Sequence, residues 1–140
     1  MFFETPVMST NIEAVVEIAR ANKVPVAVRE CYKRLSQIAE LLSYDVVDIV
    51  QPETLLVGGI SCARKAVAEA KEVFIAALHQ AYSSLNTTIN LHIYTSIPNF
   101  LIQECFNDFL VSWAHKILQG VPRVKNGYLE VPNRPGIGVE

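Results

Sequence analysis

Short apolar runs alternate along the chain with longer amphipathic segments. The apolar runs are rich in β-branched side chains, as expected for strands covered on both faces of a parallel sheet, and they occupy residues 24–28, 46–50, 73–78 and 100–103. Between them, apolar residues recur three and four positions apart, which predicts helices near 12–19, 35–42, 61–71 and 84–94. Residues 10–13 have the spacing of a capping box before the first helix. With a first strand ending near Glu4, the predicted order is βαβαβαβαβ.

Five ionisable residues follow the apolar runs at nearly constant spacing. They are Glu4, Glu30, Glu53, His79 and Glu104, separated by 26, 23, 26 and 25 residues. A strand with its crossover helix and loops takes about that many residues. If all the strands point the same way, the five side chains converge on one rim, where the active sites of (β/α) barrels lie. The spacing therefore predicts an enzyme site.

Five strands are too few to close an eight-stranded barrel, which takes about 250 residues. Two architectures are compatible with the pattern: a self-sufficient doubly wound open sheet, or the later half of a barrel. A doubly wound sheet often binds its ligand beside a glycine-rich phosphate turn. The chain contains neither GxGxxG nor GxxxxGK[ST], and Gly58 and Gly59 by themselves indicate only a turn.

The regular period stops after Glu104. A short helix is predicted over 113–118, and Asn126-Gly127 is the strongest hairpin signal in the chain. The last residues are rich in proline and glycine, which predicts a loop that covers the domain or contacts a further part of the protein.

Composition narrows the class of protein. The chain has 140 residues, of which 51% are hydrophobic and 19% charged, enough for one globular domain with a core. A net charge of -2 without a basic run argues against a nucleic-acid partner. The first residues lack a basic leader, and no apolar stretch reaches about 18 residues, so we expect a cytoplasmic chain with no membrane partner. Three separated cysteines indicate neither a disulfide framework nor a zinc site.

Several motifs occur together in a characteristic order. They are FFETP at 2–6, VPVAVRE at 24–30, VDIVQPE at 47–53 with VGGI at 57–60, PNFLIQE at 98–104, and GYLEVP at 127–132 with PGIGV at 135–139. In this order they resemble the second half of the mandelate racemase and muconate lactonising branch of the enolase superfamily, and especially its galactonate dehydratase-like acid-sugar dehydratases. The resemblance covers essentially the whole chain. It implies an α/β fold comprising strands four to eight of a (β/α) barrel.

The resemblance also implies a role for each rim residue. Glu4 and Glu30 match metal-binding glutamates at the ends of the fourth and fifth strands, and carboxylates suit Mg²⁺. His79 matches the catalytic histidine of the seventh strand. Glu53 stands where the family has an aspartate that orients this histidine, and Glu104 matches a residue that hydrogen-bonds the substrate carboxylate or the developing enediolate. The alternative for each is a polar side chain that merely solvates a strand end.

Some positions depart from the family pattern. Thr5 stands where a second acidic residue is usual, Arg29 where a small residue is usual, and 79–84 reads HQAYSS in place of an HNPLGP-like turn. The family's metal-binding aspartate on the third strand, its lysine base on the second and its N-terminal cap domain have no counterpart in this sequence. We therefore expect Mg²⁺ to bind weakly.

These observations predict the C-terminal barrel portion of a Mg²⁺-dependent acid-sugar dehydratase-like protein. We expect a partial barrel over 1–104 and a tail over 105–140 that packs on the barrel or on the missing cap domain. In a complete relative, a base would remove the proton α to the carboxylate, and His79 would act as the acid that helps expel the β-hydroxyl as water. The chain alone is expected to be inactive. The alternative is a non-catalytic remnant, or a half-barrel subunit that depends on a second copy or on a complementing N-terminal half.

Overall fold

The computed structural model describes residues 1–8, 10–28, 30–69, 75–106 and 113–140. Its centre is a parallel sheet in which each strand pairs with the next one in the chain. The strands are β1 (Phe3–Glu4), β2 (Val26–Val28), β3 (Ile49–Val50) and β4 (Ile75–Ala76). A doubly wound sheet reverses its strand order at a switch point, whereas a barrel wall keeps sequential order. The order β1-β2-β3-β4 therefore confirms the partial barrel and argues against the open doubly wound sheet.

Helices follow the strands as crossover connections. They are α1 (Ile12–Ala21), α2 (Leu35–Ser43), α3 (Thr54–Val57), α4 (Ile60–Glu69), α5 (Ser84–Tyr94) and α6 (Ala114–Ile117). Among the described residues, no helix has the length and apolar character needed to cross a bilayer.

The two faces of the sheet contribute to separate apolar clusters because strand side chains alternate between faces. The larger cluster joins the sheet to the helices and includes Val15, Val26, Val28, Tyr32, Ile38, Leu41, Val50, Ala63, Ala66, Val67, Leu78 and Ile93. The smaller cluster consists of Ala27, Ile49 and Ala77 with Phe2 packed against it. It lies on the face that forms the interior of a barrel.

The last predicted strand is reduced to a single bridge. Phe100 pairs in parallel with Ala76, whose N–H donates to the Asn99 carbonyl at 2.8 Å, and the Leu101 N–H donates to the Ala76 carbonyl at 2.9 Å. The pairing continues the sheet order beyond β4, although the predicted strand over 100–103 is too long. The beginning of the fourth predicted strand, at Val73 and Phe74, lies outside the described residues.

Local polar groups set the helix ends. Asn11 caps α1 by accepting from the Ala14 N–H at 3.1 Å, so the predicted capping box is wrong by one residue. Ser83 caps α5 by accepting from the Leu85 N–H at 3.1 Å, and this helix has its predicted bounds. The four-residue helix α3 is absent from the sequence prediction because one turn is too short to show a helical period.

The predicted hairpin is present only as its turn. Lys125 and Tyr128 exchange two backbone hydrogen bonds of 2.9 and 3.0 Å around Asn126 and Gly127. Both turn residues have positive φ, 51° and 81°, as a two-residue hairpin turn requires. Beyond the turn, Ile137 packs against the larger core cluster, and its carbonyl oxygen lies 3.1 Å from Nε2 of His92. The division into a barrel portion and a tail stays a prediction.

Candidate active site

The strand ends bring three of the predicted rim residues together. Glu4 ends β1, His79 follows β4, and Glu104 follows the bridge at Phe100. One potential ligand atom from each of Glu4, His79 and Glu104 lies within 4.8 Å of the other two. The period of about 25 residues therefore does place ionisable groups from separate units at one rim.

Glu53 and His79 form a hydrogen-bonded pair. Oε2 of Glu53 lies 3.1 Å from Nδ1 of His79, and the Glu53 side chain is fully buried. An ionised carboxylate can only accept, so Nδ1 carries the proton of this bond. Nε2 of His79 lies 3.8 Å from Oε2 of Glu104. In the neutral imidazole, Nε2 then carries no proton and has a free lone pair.

The surroundings of His79 favour its charged form. Burial lowers the pKa of the imidazole, but the hydrogen bond to Glu53 and the negative charges of Glu104, Glu53 and Glu30 together raise it above the ordinary histidine value. The imidazolium therefore persists to higher pH than in an unfolded chain. A protonated histidine at a strand end can act as a general acid.

Glu104 is shifted toward its neutral form. Burial is the largest influence and raises the pKa of this carboxyl, and the charges of Glu4 and Glu53 raise it further. The Gln80 N–H, which donates to Oε2 of Glu104 at 2.8 Å, and the charge of His79 act in the opposite direction. The protonated form of this carboxyl therefore persists to higher pH than in an unfolded chain, and that form can donate a hydrogen bond to an anionic oxygen.

Glu30 is held apart from the group of three. Thr5 Oγ1 donates to its Oε2 at 2.7 Å, and Cys31 Sγ lies 3.2 Å from its Oε1. Thr5, which departs from the family pattern, thus orients a carboxylate that the resemblance assigns to the metal. Arg29, another departure, lies outside the described residues.

The segment after His79, which departs from the family's turn, is held by hydrogen bonds of Gln80. Gln80 is fully buried; its Nε2 donates to the Ser83 carbonyl at 2.9 Å, and its Oε1 accepts from the Phe106 N–H at 3.1 Å. Tyr82 is 60% exposed and meets the His79 ring edge-on, with 6.4 Å between the ring centroids. Sequence reasoning missed Gln80 because no pattern distinguishes it from a solvated loop residue.

A buried polar set on α5 was also missed. Asn86 and Asn90 are fully buried, and both amides point toward Glu53, Thr54 or His79. Asparagine is a weak helix former, so two of them one turn apart within an otherwise buried helix are the signal that could have found them.

The donor set fits a divalent cation. Glu4 and Glu30 come from neighbouring strands and offer the carboxylate oxygens that Mg²⁺ prefers. The compact set of Glu4, His79 and Glu104 includes an imidazole and suits a softer divalent ion better than Mg²⁺.

Comparisons with known proteins show the family of this chain. A family profile described as Enolase C-terminal domain-like matches residues 1–140. The D-gluconate/D-galactonate dehydratase of Picrophilus torridus is 30% identical over 141 residues, which cover 99% of this chain and 36% of that protein.

Solved structures give the same result. A mandelate racemase/muconate lactonizing enzyme from Jannaschia sp. CCS1 superposes with a TM-score of 0.90 at 26% identity, covering 99% of this chain and 35% of that one. An enolase from Pantoea ananatis with bound D-gluconate and Mg gives a TM-score of 0.88 at 26% identity, covering 99% of this chain and 34% of that one. The chain spans about a third of the length of these relatives.

Proposed function

Because this chain belongs to the enolase C-terminal domain-like family, we propose that it supplies the general-acid side of an acid-sugar dehydratase. The observation that carries the proposal is the hydrogen bond of 3.1 Å between the buried Glu53 carboxylate and Nδ1 of His79. This bond leaves Nε2 as the nitrogen available to a substrate. The names of the relatives, which include a D-gluconate/D-galactonate dehydratase, support an acid sugar as the substrate class.

His79 is proposed to donate the proton with which the β-hydroxyl leaves as water. In the dehydration, the C–H bond α to the carboxylate breaks, a C=C bond forms, and the β C–O bond breaks. The imidazolium of His79 gives its Nε2 proton to the departing hydroxyl, which leaves as water. The raised pKa of His79 supports this role because the acid form persists to higher pH than in an unfolded chain. The base that removes the α proton is proposed to come from outside this chain.

Glu104 is proposed to bind the substrate beside His79. Its raised pKa, due first to burial, favours a protonated carboxyl that can donate to the substrate carboxylate or to the enediolate. Glu4 and Glu30 are proposed to hold Mg²⁺. When bound, this ion supplies Lewis-acid stabilisation of negative charge on the substrate carboxylate.

A half-barrel subunit that depends on a partner is the second candidate. Apolar side chains at both ends of the sheet are exposed: 47% for Phe3 in β1, and 45%, 44% and 54% for Phe100, Leu101 and Ile102. Unpaired edges of this kind favour pairing with another chain or with a complementing half.

The proposal is tested with this chain joined to the N-terminal part of a close relative. We expect His79→Asn to spare Mg²⁺ affinity and to slow dehydration by about 10² to 10⁴-fold, or about 3 to 5 kcal/mol of barrier. Glu30→Gln should weaken Mg²⁺ binding because it removes an anionic ligand at constant size. Calorimetry measures the affinity, and release of the keto acid measures the rate.

His92→Asn is the matched control. It removes another imidazole, from α5, whose Nε2 contacts the Ile137 carbonyl and not a carboxylate. Its dehydration rate should stay close to that of the parent. If His79→Asn also stays within about twofold of the parent, His79 is structural and the proposed acid role is wrong.

A further inference from the structure

The amide of Asn86 contacts the acceptor that orients His79. Its Nδ2 donates to Oε1 of Glu53 at 2.6 Å and lies 3.5 Å from the His79 carbonyl oxygen. Since a carboxylate only accepts, the Nδ2 side of the amide must face Glu53. The opposite atom, Oδ1 of Asn86, is buried and has no hydrogen-bond partner among the described residues. A buried acceptor without a partner costs free energy. The amide of Asn86 therefore donates to Glu53 while its own oxygen stays unbonded.

Glu53 has two other hydrogen-bond contacts besides the amide of Asn86. Oε1 of Glu53 also accepts from the Leu55 N–H at 3.1 Å, within the N-terminal cap of α3, while Oε2 contacts Nδ1 of His79. The carboxylate is thus bound at both oxygens, with Asn86 as the side-chain donor on Oε1. Loss of that donor leaves a buried charge with less compensation and frees the carboxylate to rotate away from Nδ1.

Asn90 supports the same arrangement one helical turn later. Its Nδ2 donates to the His79 carbonyl at 3.3 Å, and its Oδ1 accepts from Thr54 Oγ1 at 2.7 Å. Residues four apart share one helix face, so α5 presents two amides to the ends of β3 and β4 together. Asn90 contacts the backbone of His79. Asn86 instead contacts the carboxylate that determines which ring nitrogen of His79 carries the proton.

We propose that Asn86 is a positioning residue that holds the Glu53 carboxylate on Nδ1 of His79 and so keeps the proton of the neutral imidazole on Nδ1. The inference builds on the proposed acid role of His79, because the tautomer determines which nitrogen faces the substrate. Its direct readout, the tautomer, does not depend on that role.

The first test measures the tautomer of His79 in the 140-residue chain. Solid-state ¹⁵N spectra of histidine-labelled protein separate the imidazolium from the neutral Nδ1–H and Nε2–H forms. Because the pKa of His79 is raised, the spectra are recorded at rising pH until its imidazolium signal is lost. The His79 signals are identified by their loss in His79→Gln. We expect the parent to be mainly Nδ1–H and Asn86→Ala to shift toward Nε2–H. Alanine is the best helix former, which favours retention of α5 in this variant.

A second substitution at the same position gives a stricter test. Asn86→Leu is branched at the same carbon as asparagine but carries neither a donor nor an acceptor, so it removes the bond to Glu53 together with the unpartnered Oδ1 and leaves a smaller cavity than alanine. The Nδ1–H form should decrease in Asn86→Leu as it does in Asn86→Ala.

Thr88→Val is the matched control. Thr88 is fully buried on the same helix, and its hydroxyl donates to the Ser84 carbonyl at 3.4 Å, away from Glu53. This variant should keep the parent tautomer. A parent-like Nδ1–H majority in Asn86→Ala and Asn86→Leu overturns the proposal.

The rate in the joined protein separates this inference from the proposed function. Asn86→Ala should lower dehydration by about 10 to 100-fold, as for other residues that orient a functional imidazole, and Thr88→Val should not. If His79→Asn leaves the rate unchanged, the proposed function fails while the tautomer result still decides the role of Asn86.

Discussion

At the scale of single residues, Glu53 and Thr5, which depart from the family pattern, both form hydrogen bonds within the site. Glu53 is one methylene longer than the usual aspartate, yet it reaches Nδ1 of His79 at 3.1 Å and also accepts from the Leu55 N–H and from Asn86. Thr5, where the resemblance implies an acidic residue, donates to Glu30 at 2.7 Å. Both substitutions leave a hydrogen-bonded carboxylate, so neither of them by itself indicates loss of the site.

The raised pKa of His79 predicts how stability depends on pH. A histidine whose pKa is higher in the folded than in the unfolded chain stabilises the fold fully below the unfolded value of about 6.5. That contribution disappears as pH rises through the folded pKa. The free energy of unfolding of the parent should therefore exceed that of His79→Gln by more at about pH 6 than at about pH 9. Urea titrations at a series of pH values measure the difference.

His92→Gln provides the control for this measurement. The His92 ring nitrogen contacts a backbone carbonyl, so this variant shows what the loss of an imidazole outside the Glu53–His79 pair does to stability at each pH. A gap between parent and His79→Gln that stays constant or widens with rising pH would contradict the assigned environment of His79.

At the scale of elements, glycine conformation anchors the C-terminal segment. Gly138 is buried with φ of 85°, and a Cβ built on it would overlap Pro132. Gly127 has a similar φ of 81°, but a Cβ there would meet nothing within 4 Å. An alanine would therefore be strained at either position, and at Gly138 its Cβ would also overlap Pro132.

Alanine substitutions separate these two effects. Gly127→Ala should cost about 1 to 2 kcal/mol because an L-residue disfavours positive φ. Gly138→Ala should add about 1 to 3 kcal/mol, since Pro132 must move. Thermal unfolding of the two variants measures the difference. Equal melting temperatures would show that the contact between Gly138 and Pro132 does not limit stability.

At the scale of the whole molecule, the sheet has two open ends and an incomplete interior. Among the described residues, the small cluster of Ala27, Ile49, Ala77 and Phe2 lies on the inner face. Relatives about three times as long have further sequence that could cover it. The 140-residue chain should therefore associate with itself in solution.

A charge placed on the exposed edge should reduce this association. We expect the parent to elute as oligomers in size-exclusion chromatography with light scattering, and Leu101→Lys to shift it toward the monomer. Ile60→Lys is the control, because Ile60 is also 44% exposed but lies at the start of α4. A monodisperse parent monomer that melts cooperatively would instead favour a self-sufficient sheet.

Activity is also expected to require more than this chain. The purified 140-residue protein should bind Mg²⁺ weakly and should not dehydrate D-gluconate or D-galactonate, because the proposal assigns just two Mg²⁺ ligands, Glu4 and Glu30, to this chain. Calorimetric titration with Mg²⁺ and an assay for keto-acid formation test this. Measurable turnover would show that the site needs no further residues.

The sequence determined the repeating units and the positions of the chemistry. The apolar runs, the helical pattern over 84–94 and the Asn126-Gly127 turn are local features, so they predicted the parallel sheet, the bounds of α5 and the tight turn. The spacing of about 25 residues likewise placed ionisable side chains at strand ends. The short helix α3 and the shortened last strand were not predictable, because a single turn has no period and strand length depends on the neighbouring strand.

Only the tertiary structure decided which of these groups meet. It grouped Glu4 with His79 and Glu104, and it held Glu30 on Thr5. It also turned Asn86 from α5 toward Glu53, a contact between residues 33 positions apart. Such contacts depend on how strands and helices pack and on the rotamers that packing allows, and neither can be read from the spacing of residues along the chain.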